Sequence, residues 1–320
     1  MGSKFSLKQE KNIITQKNYI KQVLQLSNDK IATSSSDNGV DIYNLETYQL
    51  EKSLSEYNSP VNCLLLMNDG RFVSGSADGS IKIWTYEKEN CDLVIMAHQA
   101  PINTLIQLKD GNLASGSEDN IVKVYDLTKN WFIHTFKGHK GPVKSLIQLN
   151  DGRIVSGSKD KTILIYDLET KNKNIEGGVK VGHKATSLLV VNNSGLLLVG
   201  AKTIKVFDMS TKKEYNNIYD LNGHQNNIHK MVNVGKDGVR VISAAKHTIK
   251  IWNLINKSLE KKFDGHKGET FDLQILGDGR LITAGGDGEI KIWNALGEKG
   301  EKINLKTGEN KKEDEEFINE

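Results

Sequence analysis

Short runs of Val, Ile and Leu, bounded by Gly, Asp, Asn or Ser, recur along nearly the whole chain. No stretch sustains the 3.6-residue apolar spacing of an amphipathic helix, so the pattern predicts strands almost throughout. The segment from Val61 shows the unit: VNCLLL as a first strand, residues 71–76 as a second, IKIW at 81–84 as a third, and a fourth before the unit restarts. The first two strands are joined at Asn68-Asp69-Gly70, and the same Asp-Gly step returns at Asp110-Gly111, Asp151-Gly152, Asp237-Gly238 and Asp278-Gly279. Glycine supplies the positive φ that a tight hairpin demands.

The third strand carries a phrase that recurs seven times: VDIYN, IKIWT, VKVYD, ILIYD, IKVFD, IKIWN and IKIWN. Its aromatic residues are Tyr43, Trp84, Tyr125, Tyr166, Phe207, Trp252 and Trp293, separated by 41 residues at every step but one, which is 45. Four antiparallel strands bury little alone, but units stacked radially share their faces and leave short edges, which predicts a closed propeller. A second element keeps the same period upstream of the aromatic phrase: Ala97-His98, Gly138-His139, Gly182-His183, Gly223-His224 and Gly265-His266.

The paired histidine and aromatic signatures resemble those of the WD40 repeat family, over about residues 11–294. The resemblance implies an all-β, seven-bladed propeller with four antiparallel strands per blade, flanked by an N-terminal arm at 1–10 and a charged tail at 295–320. The seventh unit ends on its third strand at Trp293, so its outer strand must come from elsewhere. The repeat register and the family resemblance point to residues 12–15 at the N-terminus. Residues 302–306, KINLK, fit the same slot and remain the alternative.

Of 320 residues, 37% are hydrophobic and 26% charged, with both kinds spread along the chain, which excludes wholesale disorder. No run approaches the ~18 apolar residues of a membrane span, and MGSKFSLKQEKN lacks the apolar stretch of a secretory signal. The expected location is cytoplasmic, with cytoskeletal or peripheral membrane association as variants. Two cysteines, Cys63 and Cys91, make no disulfide framework and no metal-ligand spacing. The net charge is +3, and no stripe of basic and aromatic residues suggests a nucleic-acid groove. All four arginines, Arg71, Arg153, Arg240 and Arg280, stand at or just after the Asp-Gly turns.

Each well-formed unit offers a His, a Ser or Thr and an Asp, which out of context reads as a nucleophile with its base. An active site needs one such constellation, whereas this one repeats at a fixed period. The resemblance implies a structural hydrogen-bond network instead, drawn from His98, Asp119, His139, Ser156, Asp160, His224, Ser243, Trp252, His266, Thr283, Asp287 and Trp293. The second-strand hydroxyl and the turn Asp are both missing from unit five, and the Asp from unit six; unit one has no Gly-His. The stretch GLLLVGAKT, residues 195–203, imitates a phosphate-binding loop, but Ala201 interrupts the motif and a strand follows where a helix is required. No catalytic residue, metal or cofactor is implied.

Antiparallel connectivity sends the histidine loops and the turns between second and third strands to one face, and the Asp-Gly turns to the other. On the histidine face, units four to seven present Lys140, Lys159, Lys184, Lys202, Lys246 and Lys267, and units one to three present Asp37, Asp78, Glu118 and Asp119. That rim suits an acidic or phosphorylated peptide. Lysine outnumbers arginine 39 to 4, however, so composition alone also accounts for it as a solvated face. MGSKFS matches the myristoylation pattern at Gly2, and the end of the chain is an acidic tail holding Phe317 and Ile318. The family resemblance implies a non-catalytic protein scaffold or adaptor, monomeric as a propeller and part of a larger complex. Recognition of one acidic or phosphorylated peptide is the alternative.

Overall fold

The computed structural model describes residues 6–15, 17–37, 39–55, 59–88, 90–129, 131–168, 175–191, 194–210, 215–235, 237–296 and 302–307. Every regular element among them is a strand, and the strands form seven antiparallel sheets around a central channel. The protein is a seven-bladed β-propeller. Blades one to six span 20–54, 61–96, 102–137, 143–180, 187–221 and 230–264, with strands a to d running outward from the channel.

Position within a blade dictates composition. Strand b lies between neighbouring blades on both faces and is buried at every residue in Phe72–Ser76, Leu113–Ser117 and Ile154–Ser158. It therefore reads as apolar residues followed by Ser-Gly-Ser, not as an alternation. The glycine answers to the next blade: a Cβ on Gly75 would sit 2.7 Å from Ile102, and one on Gly116 2.6 Å from Val143. Strand d faces solvent on one side, and Leu93–Met96 alternates partly buried with exposed. The core is the set of seams between blades. One seam joins Val155, Ile163 and Ile165 of blade four to Leu197, Val199 and Phe207 of blade five.

Side-chain amides tie the seams along strand a. Gln22 Nε2 donates to the Leu64 carbonyl at 3.0 Å while its Oε1 accepts the Leu64 amide at 2.8 Å. Toward the Asp-Gly face, Gln107 Oε1 accepts the Asn68 amide and Gln148 Oε1 the Lys109 amide, at 2.9 and 2.8 Å. The a to b turns hold the anticipated glycines in the left-handed region, with φ of 87° at Gly70 and Gly111.

Blade seven combines Thr270–Ile275, Leu281–Gly285 and Glu289–Leu296 with an outer strand from the N-terminus, Ser6–Ile14. Leu7 pairs with Ala295 and Ile13 with Ile290, so the two ends of the chain close the ring. The outer strand reaches back to Ser6, beyond the expected 12–15 and into the stretch taken as an arm. Its residues 6–10 are held because the third strand of blade seven continues past Trp293 to Leu296 and offers them a partner.

The segment 302–307, within the stretch read as a charged tail and holding the alternative outer strand 302–306, is part of the propeller. It does not take the outer slot. Ile303 pairs with Ala295 on the opposite edge from Leu7, just beyond the end of strand b. The Leu305 amide then donates to the Gly279 carbonyl at 3.0 Å, and the Leu305 carbonyl accepts from Gly235 at 2.8 Å. Leu305 is fully buried with Val234, Leu281 and Leu7, so the segment wedges blades six and seven together on the Asp-Gly face. Gly2, Lys4, Phe317 and Ile318 lie outside the described residues.

Candidate functional site

The histidine face is built from the loops entering strand a and the turns between strands b and c. In blade seven His266 lies 2.8 Å from Asp287 through Nδ1 and 2.9 Å from Thr283 through Nε2, and Trp293 Nε1 donates to the same Thr283 hydroxyl at 3.0 Å. An ionised carboxylate only accepts, so Nδ1 carries the proton, Nε2 accepts from the hydroxyl, and the hydroxyl oxygen accepts the indole N–H. Blade four repeats the arrangement, with His139 2.8 Å from Asp160 and 2.6 Å from Ser156, and the Tyr166 hydroxyl 3.1 Å from Ser156. In blade three His98 meets Asp119 at 2.8 Å and Ser115 at 2.7 Å, but the Tyr125 hydroxyl turns to the Ala97 carbonyl at 3.2 Å.

The aspartate also closes the loop around it. Asp160 Oδ2 accepts the Lys140 amide and Asp287 Oδ2 the Lys267 amide, each at 2.8 Å. Burial pushes the pKa values of His98, His139 and His266 down, and their carboxylates offset this only in part. Burial works against ionisation of Asp160, but hydrogen bonds from Thr162, Lys140 and His139 outweigh it and hold the carboxyl below its usual range. These imidazoles are neutral near pH 7 with both nitrogens engaged, so they brace the blade and have no free lone pair for a reacting proton. His266, Asp287 and Glu289 place ligand atoms within 4.8 Å of one another, yet Thr283 and Asp287 already occupy both nitrogens of that ring.

The other blades depart by degrees. Blade six keeps His224 2.7 Å from Ser243 and Trp252 Nε1 donating to Ser243 at 2.7 Å, with no carboxylate. Burial and the nearby Lys250 ammonium push the His224 pKa down to about 3. Blade five has neither hydroxyl nor carboxylate, and its His183 is exposed. Blade two has no histidine at this place, and Trp84 Nε1 donates directly to Ser74 at 2.9 Å.

The rim lysines Lys140, Lys159, Lys184, Lys202, Lys246 and Lys267 are all exposed, spread around the face and not gathered into one pocket. Lys159 lies 3.5 Å from Glu118. The acidic side of the rim is used up locally: Asp37 accepts the Asn18 amide at 2.8 Å, Asp78 the Ser80 amide at 2.8 Å, and Glu118 the Lys144 ammonium at 2.8 Å.

A ring of residues on strand a went unnoticed in the sequence. At the channel mouth a cavity of about 450 Å³ is lined by Tyr19, Lys21, Asn62, Asn103, Lys144, His229 and Phe271. Lys21 Nζ donates to Asn62 Oδ1 at 2.6 Å and Lys144 Nζ to Asn103 Oδ1 at 2.8 Å, while Asn62 and Asn103 pass donors to the Ile102 and Val143 carbonyls at 3.0 and 2.8 Å. Burial pushes both ammonium pKa values down. The signal was present: Lys21, Asn62, Asn103 and Lys144 are spaced by 41, directly after the first apolar residue of each strand a.

The sequence model described as WD domain, G-beta repeat matches residues 48–85, 89–126, 130–167 and 257–294. Each match ends one residue past a third-strand aromatic, at Trp84, Tyr125, Tyr166 and Trp293. Blade five, with its degraded histidine set, falls outside the matches. No curated protein sequence matches the chain.

Proposed function

Because the chain belongs to the WD40-repeat family, we propose that it is a non-catalytic interaction platform, a scaffold or adaptor holding proteins together in the cytoplasm. The carrying observation is how the histidine face is used. His98, His139 and His266, with the carboxylates and hydroxyls beside them, are consumed in bracing the blades. The exposed remainder is a mixed surface of lysines, amides and aromatic rings, suited to contact and not to bond-making.

A second reading is favoured by the channel mouth. Lys21 and Lys144 stand among two amides and the rings of Tyr19 and Phe271; Lys144 is paired with Glu118 at 2.8 Å, whereas Lys21 meets no carboxylate among the residues that line the cavity. Ammonium and amide donors beside aromatic faces suit an acidic or phosphorylated peptide segment.

Native purification from the source cells, with mass spectrometry of the co-purifying proteins, tests both. A platform returns a stoichiometric set of partners that survives ~0.5 M salt, where exposed charge pairs are screened. Reversing Lys159 and Lys202 to Glu leaves that set intact. Recovery of nothing stoichiometric at low salt would sink the platform reading. Loss of every partner with Lys21→Glu, at unchanged melting temperature, would give the lead to peptide recognition. The N-terminal peptide in the same spectra reads whether Gly2 is acylated, the condition for membrane contact.

A further inference from the structure

Blade six preserves the place of the missing aspartate as a hollow. Its turn between strands b and c is Lys246-His247, one residue shorter than the Lys159-Asp160-Lys161 turn of blade four, and Lys246 takes a φ of 45° to make it. The His247 carbonyl accepts the Gly265 amide at 2.7 Å, as the Lys161 carbonyl of blade four accepts the Val181 amide, but the His247 side chain turns away toward blade seven, where its Nδ1 meets the Gly268 carbonyl at 2.8 Å. What it leaves behind is a cavity of about 280 Å³ lined in part by His224, Gln225, Lys246, Lys250 and Lys262, with no acidic residue in its wall.

Two donors face the place where sibling blades hold a carboxylate. His224 is 8% exposed, and its Nε2 is taken by Ser243, whose oxygen accepts the Trp252 indole. Its Nδ1 finds no partner among the described residues, and it carries the proton when the Ser243 hydroxyl donates to Nε2, the arrangement of blade seven that an incoming carboxylate would select. The Gln225 amide, equivalent to the Lys140 and Lys267 amides that bind Asp160 and Asp287 at 2.8 Å, likewise has none. Lys250, buried and bonded to the Gly223 carbonyl, and the exposed Lys262 opposite it in the strand pairing add positive charge. Among the described residues, none in the wall supplies the anion.

We propose that this hollow is a docking site for one acidic side chain, an aspartate or glutamate of a partner protein, whose carboxylate completes the blade-six network in trans. A carboxylate is favoured over a phosphate because it is the group the sibling blades hold between these two donors, Asp160 giving one oxygen to both and Asp287 one oxygen to each. The site rests on reading this face as one that binds proteins. It names a residue-sized pocket apart from the channel mouth.

The test uses the full chain, labelled with 15N, titrated with the blocked tripeptide acetyl-Gly-Asp-Gly-amide. The Gln225 amide and the His224 ring nitrogens are expected to shift saturably at millimolar peptide. The Asn-containing tripeptide leaves them unmoved. Lys262→Gln, an exposed change, weakens binding by about threefold or more. Absence of a saturable shift up to ~10 mM, equal response to the Asn peptide, or tighter binding of inorganic phosphate overturns the proposal. Tighter peptide binding after deletion of residues 308–320 would assign the hollow to the chain's own acidic tail and overturn the partner. Failure of the titration leaves the platform reading standing. A protein that binds the tripeptide but recovers no partner fails the platform reading alone.

Discussion

Blades seven and six carry the same histidine, an equivalent hydroxyl and the same tryptophan, and differ by one carboxylate and by one residue in the turn that carries it. His266 and His224 are both buried, and the ring-to-hydroxyl distances are 2.9 and 2.7 Å. The carboxylate is therefore not what buries the ring. It ties the turn to the loop through the Lys267 amide, and its charge opposes the fall in His266 pKa that burial causes. Without it, the loop of blade six keeps a neutral imidazole and a bare amide beside lysines. The difference separates two jobs within one motif: hydroxyl and indole hold the histidine, and the aspartate closes the surface above it.

The largest break in this comparison comes from deleting the histidines. His266→Ala leaves the Asp287 carboxylate, partly buried, without its ring partner and opens the Thr283 bond, so a loss of about 3 kcal/mol is expected. His224→Ala strands no charge and should cost roughly 1 to 2 kcal/mol. His183→Ala, exposed in blade five, should stay within about 0.5 kcal/mol. Urea unfolding of the three variants checks the order; equal losses for His266 and His224 would mean that the carboxylate adds nothing to the brace.

Acid sharpens the same contrast. A histidine whose folded pKa lies below its unfolded value stabilises fully above about pH 6.5, and that stability drains as pH falls, because the unfolded chain takes up the proton first. For His224, held down to about 3, the drain runs from about pH 6.5 to about 3 and reaches on the order of 2 kcal/mol by pH 5. For His266 it is smaller, since Asp287 opposes the fall. Asp287 itself is depressed, so its contribution is present above about pH 4 and lost below. His224→Gln should therefore flatten the dependence of the urea midpoint between pH 7 and 5 more than His266→Gln does. Equal flattening would remove the role given to the carboxylate.

The strand count, the blade number and the circular closure were legible because each blade solves the same packing problem with the same 41-residue phrase. The channel ring was legible in principle, since Lys21, Asn62, Asn103 and Lys144 keep the period, but four polar residues on inner strands carry no apolar signature. The segment 302–306 was legible as a strand candidate for blade seven, but its place as a wedge was not. Leu305 looks like one apolar residue in a charged tail, and its burial depends on a gap between blades six and seven that exists only once the ring has closed. The hollow in blade six was half legible: the absent aspartate shows in the sequence, but whether the turn refills its place depends on where the His247 side chain turns.

The smallest test concerns what ends the network. Trp293 gives an indole N–H to the Thr283 hydroxyl, whereas in blade four a phenol stands 3.1 Å from Ser156. Tyr166→Phe removes that one bond. Its ring still packs against Phe136 with centroids 4.6 Å apart, so burial of apolar surface is unchanged. Ser156 retains His139 at 2.6 Å and has the Leu164 carbonyl at 3.5 Å, so its hydroxyl is not stranded. The expected cost is one neutral hydrogen bond, roughly 0.5 to 1 kcal/mol, read as a small shift of the urea midpoint at constant slope. Trp293→Phe also opens space where the indole stood and should cost ~2 kcal/mol or more, since a cavity term adds to the lost bond. A Tyr166→Phe loss as large as that would show the phenol organising more than the Ser156 hydroxyl, and blades three and four would then be built on their tyrosines as blade seven is on its tryptophan.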